Sequence, residues 1–163
     1  MILAIDPGNR ESGFVLLNST NLFPVRHGKM ENNALVDYLD DYIRQYSVTD
    51  LAIEMVESYG MPVGREVFDT VRWIGRFEER YGQQIPNVRL IYRHEEKISI
   101  CHSAKANDAA IRQALVDRFA PGEPNYGKGT KARPGWFYGF KADVWQAYAV
   151  GVTYYELYLK EGG

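Results

Sequence analysis

Met1-Ile2-Leu3-Ala4-Ile5-Asp6-Pro7-Gly8-Asn9-Arg10 opens the chain with five apolar residues, an acid and a turn. So short and wholly apolar a run fits a central strand buried on both faces. Asp6-Pro7-Gly8-Asn9-Arg10 is a turn signal, and Ser12-Gly13-Phe14-Val15-Leu16-Leu17 resumes the apolar pattern, so residues 1–17 read as a hairpin. A third strand is expected from Leu22 to Met30. Beyond Glu31-Asn32-Asn33 the period becomes helical, with Leu35, Tyr38, Leu39, Tyr42, Ile43 and Tyr46 on one stripe. Leu51-Ala52-Ile53-Glu54-Met55 is another short buried strand.

Residues 63–81 are helical again, with Val67, Val71, Ile74, Phe77 and Tyr81 on one side and Arg65, Arg72 and Arg76 on the other, Asp69 among them. A strand at Val88–Tyr92, a helix at about 107–119 and a last helix from about Asp143 to Leu159 follow. A Gly- and Pro-rich segment, 121–140, separates the last two. Three early strands followed by strands alternating with helices imply an α/β fold: a mixed five-stranded sheet, three antiparallel strands then parallel ones, flanked by helices. The 163 residues suit a single domain, 1–163.

Composition narrows the function classes. The one cysteine, Cys101, excludes an internal disulfide framework and a thiolate zinc cluster, and His94 and His102 are too sparse for a zinc site. No apolar run is long enough to span a membrane, and the N-terminus lacks the features of a signal peptide, so a cytoplasmic protein is expected. A net charge of −2 argues weakly against nucleic acid as a partner. A cluster of active-site acids would hide basic surface in that sum, so distribution matters more than the total.

Two of the short strands end in an acid, Ile-Leu-Ala-Ile-Asp6 and Leu-Ala-Ile-Glu54. If they are neighbours, both carboxylates meet at the carboxyl edge of the sheet, where ligands of open α/β sheets bind. Asp143, opening the last helix, shares a face with Ala147, Val150, Tyr154 and Leu157 and should point toward the sheet. Each acid alone has a plainer explanation: a turn residue, a surface acid, a helix cap. Together they call for compensation, because convergent carboxylates do not all stay ionised and unpaired. Mg²⁺, which takes oxygen ligands and phosphate oxygens, is the natural partner, and two ions could activate water and stabilise a leaving oxygen.

Ala4-Ile5-Asp6-Pro7-Gly8 with Ser12-Gly13, then Ala52-Ile53-Glu54, then Asp143 before Ala147-Tyr148-Ala149-Val150-Gly151-Val152-Thr153, resembles RuvC, the Holliday junction resolvase family. More closely it is similar to the RuvC-like endonucleases of phages and prophages. The resemblance implies an RNase H-like fold, a homodimer and cutting of branched DNA with Mg²⁺, or Mn²⁺ in its place, two ions per site. It makes Asp6, Glu54 and Asp143 the catalytic, metal-binding acids. One acid of the family pattern is missing from the last helix: depending on register, Gln146 or Phe140 stands there. Asp108 is then the expected substitute, in a region where RuvC carries a functional lysine, with Glu57 and Asp69 weaker ones. Asp108 equally fits an ordinary acid at a helix start.

For DNA contact, the candidates are Arg65, Arg72 and Arg76, with Lys105, Lys128, Lys131 and Arg133. The arginine stripe could instead be a solvated face, and Trp136, Phe137 and Tyr138 could either stack on unpaired bases or anchor their loop. His94, after a strand, is a lesser candidate for a catalytic or phosphate-contact role, and His94 and His102 could each equally be structural. The last helix is apolar nearly all round, adding Val144, Tyr148, Val152 and Tyr155, so it must bury two faces, against a second layer or a dimer partner. An actin-like ATPase would need two such domains. A YqgF-like RNA-processing nuclease and a cleavage-deficient branched-DNA-binding module remain as alternatives.

Overall fold

A computed structural model of the chain describes residues 1–160. Five strands form one sheet in the order β3-β2-β1-β4-β5, where β1 is Ile2–Asp6, β2 Glu11–Leu17, β3 Pro24–Glu31, β4 Asp50–Met55 and β5 Asn87–Tyr92. β1, β2 and β3 pair antiparallel, while β4 joins β1, and β5 joins β4, in parallel. This is the expected mixed sheet. The helices are α1 (Asn32–Tyr46), α2 (Arg65–Gly82), α3 (Arg93–Cys101), α4 (Asp108–Phe119) and α5 (Ala142–Tyr154), the last running into a wider π turn at Tyr155–Leu159.

Side-chain alternation divides the sheet cleanly. Leu3, Ile5, Leu16, Leu51 and Ile53 face α1 and α2, packing on Leu35, Leu39, Ile74, Phe77 and Tyr81. Ile2, Ala4, Val15, Leu17, Ala52 and Ile91 face the other layer, where α5 and α4 supply Trp145, Tyr148, Val150, Ile111 and Leu115. The strands are therefore apolar on both faces because both are covered.

Two features depart from the sequence reading, and a third answers an alternative it left open. Helix α3 follows β5 directly, where no helix was expected. Its backbone opens with the Tyr92 N–H donating to Glu95 Oε2 at 2.7 Å. Val71, placed with the core by periodicity, is exposed, because the inward stripe of α2 narrows to Ile74, Phe77 and Tyr81. Both apolar faces of α5 are buried within the chain, Val144, Tyr148 and Val152 included, so this helix needs no second copy. No helix among the described residues is long and apolar enough to cross a membrane.

Segment 121–140 is more ordered than its composition suggests. Gly129 bridges Pro134, and Gly135 N–H donates to the Lys128 carbonyl at 2.9 Å, making a tight hairpin with Lys131 and Arg133 exposed. Phe137 is fully buried at its base, and the Trp136 indole N–H donates to Tyr148 Oη at 3.1 Å. These two rings anchor the loop, whereas Tyr138 stays exposed.

Helix α5 lies so close to the sheet that a Cβ on Gly151 would sit 2.6 Å from Leu17 Cδ1 and 3.1 Å from Ala4 Cβ. Gly151→Ala gains helix propensity, about 1 kcal/mol, but overpacks the core, at about 1–3 kcal/mol. The net expectation is a lower urea midpoint at unchanged slope. A midpoint equal to or above that of the natural chain would mean that α5 can ride outward freely.

Candidate active site

The parallel register Ile5↔Ile53 brings Asp6 and Glu54, one residue further on, to the same end of the sheet. Each shares the parity of Ala4 and Ala52, so both side chains face the α5 layer. Opposite Asp6 on β2 is Gly13, and a Cβ there would meet the Asp143 carbonyl oxygen at 2.5 Å. That glycine lets the start of α5 press onto the strand and carries Asp143 to the same edge. The turn after Asp6 is held by a small polar knot. Ser12 Oγ donates to the buried Asn32 Oδ1 at 2.6 Å and accepts from the Gly8 N–H at 3.1 Å, while Asn32 Nδ2 donates to the Gly8 carbonyl at 2.9 Å.

A further acid arrives from α3. Ile100 packs against the core of this layer, and Glu96, one turn earlier on the same helix face, is fully buried. Glu96 Oε2 accepts from Arg93 at 2.6 Å, and its Oε1 has no hydrogen-bond partner. The neighbouring Glu95 is used at the helix start, so the two consecutive acids have different tasks.

The electrostatics follow from this crowding. Burial, then the charge and hydrogen bond of Glu54, then Asp143 and Glu96, push the Asp6 carboxyl well above its ordinary range. Burial and then the charge of Glu54 push Glu96 up to about 9, although Arg93 draws it back. Two cations counter the acids. Lys29 on β3 pairs with Asp143 at 2.6 Å and with Glu11 at 3.5 Å, and Arg93 reaches both Glu96 and Asp108.

Two clefts share Asp6 and Pro7. One, about 350 Å³, is lined also by Arg10, Glu11, Lys29 and Asp143; the other, about 270 Å³, by Glu54, Glu57, Tyr59 and Arg93. A larger groove of about 730 Å³ runs past Trp73, Arg76 and Arg80 between α1 and α2, on the opposite face of the sheet from the acids.

The expected site residues therefore separate. Asp6, Glu54 and Asp143 come together. Asp108 does not join them: its side chain is 80% exposed, paired with the outer side of Arg93. Asp69 sits on α2 between Arg65 and Arg72, on the other layer, with Arg76 stacked over Trp73. Glu57 lines the second cleft, but His94 Nδ1 (3.1 Å) and the Tyr59 hydroxyl occupy it. Gln146 is half-buried on α5, Phe140 is core, and His102 and Lys105 lie exposed after α3. Lys128 is half-buried beside the hairpin that exposes Lys131 and Arg133. Glu96, Arg93 and Lys29 were not singled out from the sequence; the i, i+4 spacing of Glu96 and Ile100 was the available signal.

The donor set suits a hard divalent cation: carboxylate oxygens, one of them buried without a partner. Among the described residues no three such groups are already drawn into metal-binding geometry. Lys29 and Arg93 hold two of the carboxylates instead.

No protein-family profile matches the sequence, and no curated protein matches it. Solved structures do match in fold. A structure described as T. thermophilus RuvC in complex with a Holliday junction substrate superposes with a TM-score of 0.70 at 10% identity, covering 95% of this chain and 92% of that one. A second Thermus thermophilus RuvC structure gives 0.64 at 12% identity, covering 95% and 93%. The fold is thus RuvC-like, of the RNase H-like kind. At these identities the likeness speaks for the fold, and function has to be argued from the site.

Glu96 carries a testable pH signature. Its folded value is about 9 against an ordinary 4.5, so between those values the folded chain holds more protons than the unfolded one. Stability then falls as pH rises through that window. Thermal melts in EDTA should show this decline, and Glu96→Gln should flatten it. Parallel profiles for the two proteins would contradict the burial of Glu96 against Glu54.

Proposed function

We propose that the chain is a divalent-metal-dependent endonuclease that hydrolyses phosphodiester bonds in branched DNA, four-way junctions foremost. One observation carries the reading: Asp6 and Glu54 from adjacent strand ends and Asp143 from the start of α5 converge on one edge, around clefts that also hold Lys29 and Arg93. The support from fold is that RuvC, with the same architecture, has been seen with a Holliday junction.

In this reading Asp6, Glu54 and Asp143 hold Mg²⁺ or Mn²⁺, two ions per site. The bound ions supply an activated water and neutralise charge building on the phosphate. The protein's own part is positional. The strand register and the Ser12–Asn32 knot fix where Asp6 and Glu54 stand at the sheet edge. Lys29 and Arg93, once displaced from their carboxylates, stand within the same clefts to meet phosphate oxygens without reading sequence. Lys131 and Arg133 on their hairpin are further backbone contacts; Arg65, Arg72 and Arg76, on the opposite layer, serve only DNA that wraps past the edge.

Symmetric cutting of two strands needs two sites, so the proposal includes a homodimer. Its interface is not α5, whose apolar faces are filled from within the chain. Phe68 and Val71 on α2 leave apolar surface free.

Cleavage of a labelled four-way junction should require Mg²⁺ or Mn²⁺. Asp6→Asn should lower the rate by roughly a thousandfold, about 4 kcal/mol of barrier, while junction binding in EDTA stays intact. Undiminished cutting by Asp6→Asn would sink the site assignment. Preference for structured RNA over the junction would favour the RNA-processing alternative, and binding without cutting a bare junction-binding module.

A further inference from the structure

We propose that Glu96, reaching inward from α3, is the fourth carboxylate of the metal centre and replaces the acid that the last helix lacks at Gln146. The inference rests on the nuclease reading and adds a ligand to the same site.

Three observations carry it. Glu96 is fully buried, and its Oε1 lacks any hydrogen-bond partner. A buried acceptor left so is costly, more when charged, and natural structures keep few of them. Secondly, the side chain faces Glu54, within hydrogen-bonding reach of it, and its charge is felt at Asp6. Two carboxylates facing each other need a proton or a cation between them. Thirdly, the remaining acids are committed elsewhere. Asp108 is exposed on the outer side of Arg93, Asp69 pairs on α2, and Glu57 is taken by His94 and Tyr59.

A purely structural ion pair is the competing account, since Arg93 binds Glu96 at 2.6 Å. That pair accounts for Oε2 alone. It leaves the other oxygen to the contact with Glu54, where a proton or a cation has to lie between the two carboxylates. Arg93 is better described as a positioning residue: it spans Glu96 and Asp108, so it ties the start of α3 to the start of α4 and holds the carboxylate beside Glu54.

The test reads metal binding directly, without DNA or cleavage. Mn²⁺ is titrated into the full chain by calorimetry, with free Mn²⁺ followed by electron paramagnetic resonance. Wild type is compared with Glu96→Gln, Glu96→Asp and Asp108→Asn. Glu96→Gln should weaken Mn²⁺ by at least about tenfold, and Glu96→Asp, with a shorter reach, should weaken it also. Asp108→Asn should bind as wild type does. Circular dichroism in EDTA should show Glu96→Gln folded, so that its loss of Mn²⁺ is not a loss of structure. Wild-type affinity in Glu96→Gln overturns the inference and leaves the nuclease reading standing. Failure of both Glu96 variants to fold assigns the residue a structural role and also overturns it. Absence of Mn²⁺ binding by the wild type overturns the nuclease reading itself, and the inference with it.

Discussion

The parallel pairing of β1 with β4 governs the rest of the molecule. Both strands are apolar on each face, so the pair is stable only with a helical layer on either side. Its register sets Asp6 beside Glu54, and a one-residue slip would turn one of them to the α1–α2 face. Buried polar groups peg the pair at both ends. Near the acids, Ser12 and Asn32 brace the turn. At the far end, Asp50 accepts from the Tyr154 hydroxyl at 2.6 Å and from Thr49 and Asn87, which ties the end of α5 to the start of β4. The polar pegs specify one register where apolar packing alone would tolerate several.

The same register creates an electrostatic problem. Two carboxylates about 4 Å apart repel by about 4 kcal/mol at the effective dielectric of a protein surface, and more where water is excluded. The chain carries three counterweights: burial and crowding push the Asp6 and Glu96 carboxyls up toward their neutral forms, Lys29 and Arg93 are seated beside the acids, and helix starts point at them. Asp143 lies in the first turn of α5 and Glu96 near the start of α3, where the positive end of the helix dipole favours negative charge. In the proposed nuclease a divalent cation would do the work of all three at once.

Much of this was legible in the residues. Alternating and continuous apolar runs, broken at Pro7-Gly8, gave five strands near their observed limits, and the two strand-end acids announced the edge. Helix α3 was not legible, for identifiable reasons. Its nine residues, RHEEKISIC, are mostly polar, and Tyr92 is not among the usual capping residues. With the helix missed, Glu96 had no face to occupy. The layer of the arginine stripe was, by contrast, deducible. Right-handed crossovers from β1 to β4 and from β4 to β5 put α1 and α2 on the same face, leaving the other to the helices that follow. Periodicity separated the arginines from the core, and handedness separates them from the acids. Lys29, on an edge strand of mixed pattern, has no local signal at all; only the approach of α5 gives it Asp143.

The two helical acids are held by different means, and this bears on how a site can change its ligands. Asp143 is placed by backbone packing: its main chain lies where a side chain on Gly13 would be, so its position follows from the sheet. Glu96 is placed by side chains, through Arg93 and the burial of Ile100 beneath it. A carboxylate at this edge is defined by where it arrives, and α3 and α5 both begin there and pack against each other. In the proposed metal centre, a donor missing from α5 would therefore be made up by a glutamate on the first turns of α3, which arrives at the same edge. The rigid donors of that centre would come from the sheet and α5, and the adjustable one would be Glu96 on α3, held by the side chain of Arg93.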